Sequence, residues 1–279
     1  MIDLHTHSTV SDGSDAPARI PELAAEAGCT AVALTDHDRL DGVAEARARA
    51  GELGVDLVPG CELSCAFGPG TMHVLVYFLE PGDGPLQDAL EGLQQERDAR
   101  NRQMAERLSQ LGLPVTYEDL EEESGGTGTG RPHMAAVLVR KGVVSTVGEA
   151  FEKWLAKGKA GYVEKRRLPP SDAIALARAS GAVPVLAHPL SLELDPGPLE
   201  ATVIQLREMG LAGVEAIYGR YSPEERADLA AMAARNRLVA TGGSDHHGTY
   251  KPDLKVGLGQ GDLDVPDDVL GQLADRRPG

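Results

Sequence analysis

Histidines and acidic residues cluster at a few points of this sequence and have the composition of a metal site. The chain has 279 residues, among them eight histidines. Most of the histidines fall in four short motifs: His5-Thr6-His7, Asp36-His37-Asp38, His188-Pro189 and Asp245-His246-His247. Imidazole nitrogens and carboxylate oxygens suit divalent ions such as Zn, Mn and Fe. The residue types therefore predict metal-dependent chemistry and leave the metal open.

The motifs follow segments whose patterns predict β-strands alternating with helices. The segments with strand patterns are Met1–His5, Thr30–Thr35, Val55–Val58, Thr71–Leu79, Val183–Ala187, Gly213–Ile217 and Val239–Thr241. Repeated βα units predict a parallel sheet, open or closed into a barrel. The carboxyl ends of parallel strands meet on one face, so the histidine motifs, Glu62 and Asp245 are expected to converge there. The sequence alone predicts several metal ions near these strand ends.

A long stretch between the two βα regions carries helix signals only. We predict a barrel domain from residues 1–85 and 162–279, and a helical insertion over 86–161 that folds over the barrel mouth as a lid. The insertion contains the loop Gly125–Gly130. No Lys-Ser/Thr follows this loop, so it is interpreted as a flexible connector and not as a Walker A motif.

The composition excludes several partners. The formal net charge is −16, which argues against duplex DNA binding and against a polybasic membrane patch. It does not exclude a phosphate substrate, because bound divalent cations reverse the field locally. Three cysteines without paired spacing, no signal sequence and no membrane-length apolar segment predict a cytoplasmic protein without disulfides. No protein partner can be deduced.

Taken together, the motifs resemble the PHP (polymerase and histidinol phosphatase) family of metallophosphoesterases. Asp12, Glu62 and His73 also match the family pattern. The resemblance implies an α/β protein with a distorted, TIM-like (β/α)7 barrel. The segment Gly130-Arg131-Pro132-His133 resembles the subgroup that hydrolyses phosphate esters of nucleotides and short oligoribonucleotides, so the implied substrates are nucleotides such as 3′,5′-bisphosphates, short oligoribonucleotides, or both.

The resemblance also implies three divalent metal ions (Mn, Fe or Zn) and a ligand set for each. The first ion would bind His5, His7, Glu62 and Asp245. The second would bind Glu62, His73 and His188, and the third would bind Asp12, His37 and His247. The two adjacent histidines point opposite ways on an extended chain, and the family pattern favours His247 over His246.

A mechanism follows as a hypothesis. Water between two ions becomes a hydroxide near neutral pH, held here by Glu62, His188 and Asp245, and it would attack phosphorus in line. Arg131 and His133 are the predicted phosphate contacts, and Lys165 and Arg166 are weaker candidates. Arg97, Arg100 and Arg102 are interpreted as helix-surface residues, with a role at a second phosphate or base left open.

Three other interpretations remain open from the residues. A histidinol-phosphate phosphatase would share the barrel and the ligands, but the Arg131-Pro132-His133 segment favours nucleotides. An amidohydrolase would need a metal-bridging lysine, whose position Glu62 takes here. A non-catalytic metal-binding PHP module is disfavoured by the complete ligand set. Asp36 and Asp38 are expected to orient His37 or its neighbours.

Overall fold

The protein is described from a computed structural model that covers residues 1–125, 129–164 and 167–278. Seven strands form one sheet in the order of the chain. They are β1 (Ile2–Asp3), β2 (Ala31–Leu34), β3 (Asp56–Cys65), β4 (Met72–Tyr77), β5 (Val183–Leu186), β6 (Gly213–Tyr218) and β7 (Val239–Gly243). Beyond β1 and β7 the chain pairs Thr6 with His246, and Asp245 N–H donates to the His5 carbonyl at 2.8 Å. The sheet therefore nearly closes, which confirms the predicted α/β barrel.

One strand runs against the expected direction. β1 to β3 are parallel, and so are β5 to β7, but β4 is antiparallel to both of its neighbours. The short segment 66–71 joins β3 to β4 as a hairpin, so no crossover helix is needed. The start of β4 therefore lies on the face where the parallel strands end. This reversal brings His73, the second residue of β4, to that face.

The strands separate two layers of apolar packing. On β4, Val74 and Val76 pack into the layer that contains Ile174, Leu199 and other helix residues. Leu75 and Tyr77 point the opposite way and pack with residues of β1, β2, β5 and β7, as the period of two along a strand requires. The helices that flank this barrel are α1 (Arg19–Glu26), α2 (Val43–Leu53), α7 (Pro170–Ala179), α8 (Pro196–Met209), α9 (Pro223–Arg235) and α10 (Asp268–Ala274).

The stretch 86–161 is helical, and its described residues contain no strand. Its helices are α3 (Pro85–Gln110), α4 (Tyr117–Glu123), α5 (Arg131–Arg140) and α6 (Val147–Ala150), followed by a π-helical turn over Phe151–Leu155. Met104, Leu108 and Leu138 belong to a separate apolar cluster of this region. The first turns of α3 pack with the barrel instead, through Leu86 and Leu90. The division into two domains at these boundaries stays a prediction.

Cys29, Cys61 and Cys65 are free and buried. Burial is the main cause that raises the pKa of the Cys29 thiol to about 12. None of the helices in the described part of the chain is both long and apolar enough to cross a membrane. The cytoplasmic location stays a prediction.

Candidate metal centre

Glu62 lies at the middle of the converging side chains and is almost fully buried. Its Oε1 is 2.8 Å from His73 Nδ1 and 3.0 Å from His188 Nε2. Its Oε2 is 3.2 Å from both His7 Nε2 and His37 Nδ1. The two carboxylate oxygens thus face different histidines. The sequence pattern predicted Glu62 just beyond the end of a strand, but the structure places it within β3.

A first group of ligand atoms belongs to His5, His7 and Asp245. The Nε2 atoms of the two histidines are 3.1 Å apart, and each lies 3.5 Å from Asp245 Oδ1. His5 Nδ1 is 2.9 Å from a carboxylate oxygen of Glu215, so this nitrogen carries a proton and Nε2 is the ring nitrogen left to bind a cation. This mixed imidazole and carboxylate set fits a divalent cation.

A second group contains His7, Asp12, His37 and His247, and a third contains His37, Glu62 and His73; within each group the candidate ligand atoms lie within 4.8 Å of one another. His247 Nε2 is 3.3 Å from Asp12 Oδ1. The structure therefore brings together all the side chains predicted to bind metal. His7 and His37 each belong to two groups, so the assignment of each ligand to an ion stays a prediction.

The pKa shifts in the site differ between the ligands: the carboxylates and His37 are held in the forms that bind metal, whereas the neighbouring carboxylates outweigh burial at His5 and His188 and raise the pKa of both imidazoles. Burial alone would raise the pKa values of Glu62, Asp12 and Asp245. Nearby imidazoles, and Lys251 beside Asp245, outweigh it and hold all three pKa values well below their usual range. Burial lowers the pKa of His37, which keeps this imidazole neutral. Charged carboxylates and neutral imidazoles are the forms that bind metal ions.

The residues around the ligands have separate roles. Asp36 accepts hydrogen bonds from the Ser8 N–H at 2.8 Å and from the Ser11 hydroxyl at 2.6 Å, and so fixes the loop after β1; its role in orienting His37 or its neighbours stays a prediction. Asp38 binds Arg97 at 2.5 Å. His246 Nε2 is 2.9 Å from Asp15 and outside the metal groups. The binding of metal by His247 and not by its neighbour stays a prediction.

Beside the metal ligands lies a cavity of about 170 Å³. One part of its lining consists of Asp12, His37 and His73, and the other includes Phe151 and four arginines: Arg97, Arg100, Arg131 and Arg167. We call the second part the arginine wall. Arg97 and Arg100 are only 9% and 8% exposed, so their interpretation as surface residues was wrong. Burial, followed by the charges of Arg131 and Arg97, lowers the pKa of Arg100 to about 9.

The two predicted phosphate contacts occupy different places. Arg131 lines the cavity, and its guanidinium lies 5.6 Å from the ring centre of Phe151. His133 is buried, and its Nδ1 accepts the Gly130 N–H at 3.0 Å at the start of α5. Its role as a substrate contact stays a prediction. Lys165, Arg166 and the tip of the glycine loop, 126–128, lie outside the described residues.

Sequence reasoning missed three residues that contact metal ligands. Tyr218 donates its hydroxyl to Asp245 Oδ2 at 2.8 Å, and Lys251 Nζ lies 2.6 Å from the same oxygen. Glu215 binds His5 and is fully buried. Only Glu215 carried a usable signal, because a lone carboxylate inside the apolar segment Gly213–Tyr218 is expensive to bury without a partner.

Comparison with known proteins agrees with this geometry. The model of the PHP domain matches residues 3–161, more than half of the chain. The chain belongs to the PHP family. The expected resemblance is therefore confirmed, and the His/Asp/Glu clusters of this PHP protein agree with divalent metal binding.

Three similar proteins show how far the likeness extends. A 3′,5′-nucleoside bisphosphate phosphatase of Chromobacterium violaceum is 31% identical, over 92% of this chain and 90% of its own. A 5′-3′ exoribonuclease, Rnm, of Salmonella typhimurium is 33% identical, over 88% of this chain and 85% of its own. A crystal structure from Bifidobacterium adolescentis, described as a metal-dependent phosphoesterase, has a TM-score of 0.88 at 30% identity, covering 100% of this chain and 96% of its own.

Proposed function

We propose that this PHP protein is a metal-dependent phosphoesterase that hydrolyses phosphate esters of nucleotides, such as 3′,5′-bisphosphates, and ends of short oligoribonucleotides. One observation carries the proposal: a single cavity has metal ligands on one side and four arginines on the other. An anion with two phosphate groups can be bound at both sides at once. The phosphatase and the exoribonuclease among its relatives act on substrates of this kind.

Three divalent ions, Mn, Fe or Zn, are assigned to the ligand groups. Glu62 lies between the groups, so it is the residue that two ions would share. Bound there, the ions would lower the pKa of water and neutralise charge on the phosphoryl oxygens. Glu62, His188 and Asp245 mark the part of the site where the ester is cleaved.

The arginine wall binds the phosphate groups of the substrate. A guanidinium binds two phosphate oxygens with parallel hydrogen bonds, and the partly buried cavity strengthens these contacts because water screens them less. Asp38 is paired with Arg97. Arg100 donates hydrogen bonds to the Val163 carbonyl and to the side-chain oxygen of Asn101. Among the described residues, no carboxylate lies within ion-pair distance of it. Its charge is therefore available to a substrate phosphate.

The test is a hydrolysis assay on metal-stripped protein reloaded with Mn, Fe or Zn, which measures released phosphate for the phosphate monoesters and released mononucleotide for the RNA. The substrates are adenosine 3′,5′-bisphosphate, a short 5′-phosphorylated RNA and histidinol phosphate, with a chelator control. We expect turnover of the nucleotide substrates and little of histidinol phosphate. Preference for histidinol phosphate would replace the proposed substrate class. Absence of turnover with every metal would leave the non-catalytic PHP module.

A further inference from the structure

Glu215 is a buried carboxylate that contacts two candidate metal ligands without belonging to any ligand group. Its Oε1 is 2.9 Å from His5 Nδ1. Its Oε2 accepts the backbone N–H of His188 at 2.7 Å. Both oxygens therefore contact residues that carry candidate ligand atoms, and this one side chain connects β6 to the segments that follow β1 and β5.

The backbone of β6 is adapted to place this side chain. The pairing of β6 with β7 shifts register between Glu215 and Ile217. Such bulges change the direction of a side chain and are frequent beside active sites. The strand neighbours Val214 and Ala216 pack into the layer beneath the helices. Glu215 therefore points to the opposite side, towards His5.

The contact with His5 fixes which ring nitrogen carries the proton. A carboxylate only accepts hydrogen bonds, so His5 Nδ1 must donate. The Nε2 lone pair is then directed at Glu62 Oε2 and Asp245 Oδ1, 3.4 and 3.5 Å away. The opposite tautomer would place a hydrogen at the atom that must bind a cation.

The contact with His188 holds an unusual backbone. His188 has a φ of 24°, a conformation that costs a residue with a side chain on the order of 1–3 kcal/mol. The hydrogen bond from its N–H to Glu215 stabilises this geometry. In the same geometry, His188 Nε2 lies 3.0 Å from Glu62 Oε1.

We infer that Glu215 is a positioning residue that sets the His5 tautomer and the His188 orientation, and thereby the affinity of the site for divalent cations. The inference rests on the proposed metal centre. Carboxylates that hold metal-binding histidines in other proteins change metal affinity by about 10- to 100-fold when they are replaced. We expect an effect of that size here.

The first experiment measures Mn²⁺ affinity by competition titration of metal-stripped protein. The variants are Glu215→Gln, which keeps shape but loses charge, and the matched control Glu208→Gln on the exposed surface of α8. We expect Glu215→Gln to bind Mn²⁺ about 10- to 100-fold more weakly, and the control to match wild type. Equal affinities in all three would overturn the inference. A wild type that binds no divalent ion would instead overturn the proposed function.

A second measurement uses the wild-type protein, so its result does not depend on whether a variant folds. In wild-type protein loaded with Zn²⁺, ¹⁵N NMR of labelled histidines reports which ring nitrogen is protonated. We expect His5 to be protonated at Nδ1 and bound to metal through Nε2. A proton on Nε2 would refute the role of Glu215. A merely structural role would not require either tautomer.

Discussion

The two sides of the cavity come from different parts of the chain and from different secondary structure. The metal ligands project from strands of the barrel and from the loops that follow them. Arg97 and Arg100 lie on α3, and Arg131 lies on α5. Hydrogen-bonded strands fix positions closely, which suits short side chains that share an ion. Arginines are long, and they can adapt to phosphates held at different distances.

This difference indicates a division of roles. The strands set where an ester is cleaved, and the helices set which anion is bound. If the division holds, substitutions on the barrel should change the rate, while substitutions in the helical region should change the apparent affinity for substrate. Four experiments test it.

Replacing Asp245 should have the largest effect. Asp245→Asn keeps the shape but removes the charge that lies 3.5 Å from the ligand nitrogens of His5 and His7. Charge stabilisation in such sites is worth several kcal/mol, so we expect kcat to fall about 1000-fold, or ~4 kcal/mol. Steady-state phosphate release measures it. The exposed control Asp264→Asn should retain wild-type kcat, and full activity of Asp245→Asn would exclude the residue from the centre.

The cores of the two regions should respond separately. Leu138→Ala, in the helical cluster, should lower the free energy of unfolding by about 2–5 kcal/mol because it leaves a cavity, while Mn²⁺ affinity stays unchanged. Leu75→Ala, in the barrel, should lower both. Urea denaturation and metal titration give the two quantities. Equal loss of metal affinity in both variants would contradict the division between the regions.

Arg131 provides the direct test of the arginine wall. Arg131→Ala removes a charged donor, worth about 1.5–3 kcal/mol, so KM for adenosine 3′,5′-bisphosphate should rise about 10- to 100-fold with kcat nearly unchanged. Arg140→Ala, on the exposed end of the same helix, is the matched control. A fall in kcat with unchanged KM would assign Arg131 to the cleavage step and not to binding.

The smallest effect is expected at two helix caps. Thr116 caps α4 in the helical region, and Ser222 caps α9 on the barrel, each with a complete capping box. Replacing either residue by alanine should cost about 1 kcal/mol of unfolding free energy. Neither change should alter Mn²⁺ affinity. A detectable loss of metal binding in Thr116→Ala would show that the helical region supports the ligands after all.

The convergence of the candidate metal ligands could be predicted because these residues follow a rule about strand ends. His5, His7, His37 and Asp245 needed only the βα rhythm and their residue types. The direction of β4 was not predictable, since the alternation of apolar residues is the same in both directions. The length of β3 was hidden by Pro59-Gly60, which marks a strand end in most sequences. Here the strand continues through Gly60, because glycine lacks the Cβ atom that would collide with the Val76 carbonyl of β4.

The arginines were harder to predict than the ligands. A charged residue on a helix is normally exposed, and nothing in the spacing of Arg97 and Arg100 marks them as buried. Their burial depends on the barrel loop that carries Asp38 and on the chain near Val163, both distant in sequence. Glu215 was overlooked for a different reason. Its apolar neighbours made the whole segment resemble an ordinary buried strand, so the single carboxylate was not considered.

The length of α3 has a mechanical consequence. This single helix of 26 residues contributes Leu86 and Leu90 to the barrel packing and Met104 and Leu108 to the helical cluster. Nothing in it breaks the backbone ladder, since its only proline is at the first position. At that end the apolar cluster of the helical region and the apolar packing of the barrel are therefore joined by one continuous helix, whose intact hydrogen bonds resist bending between them.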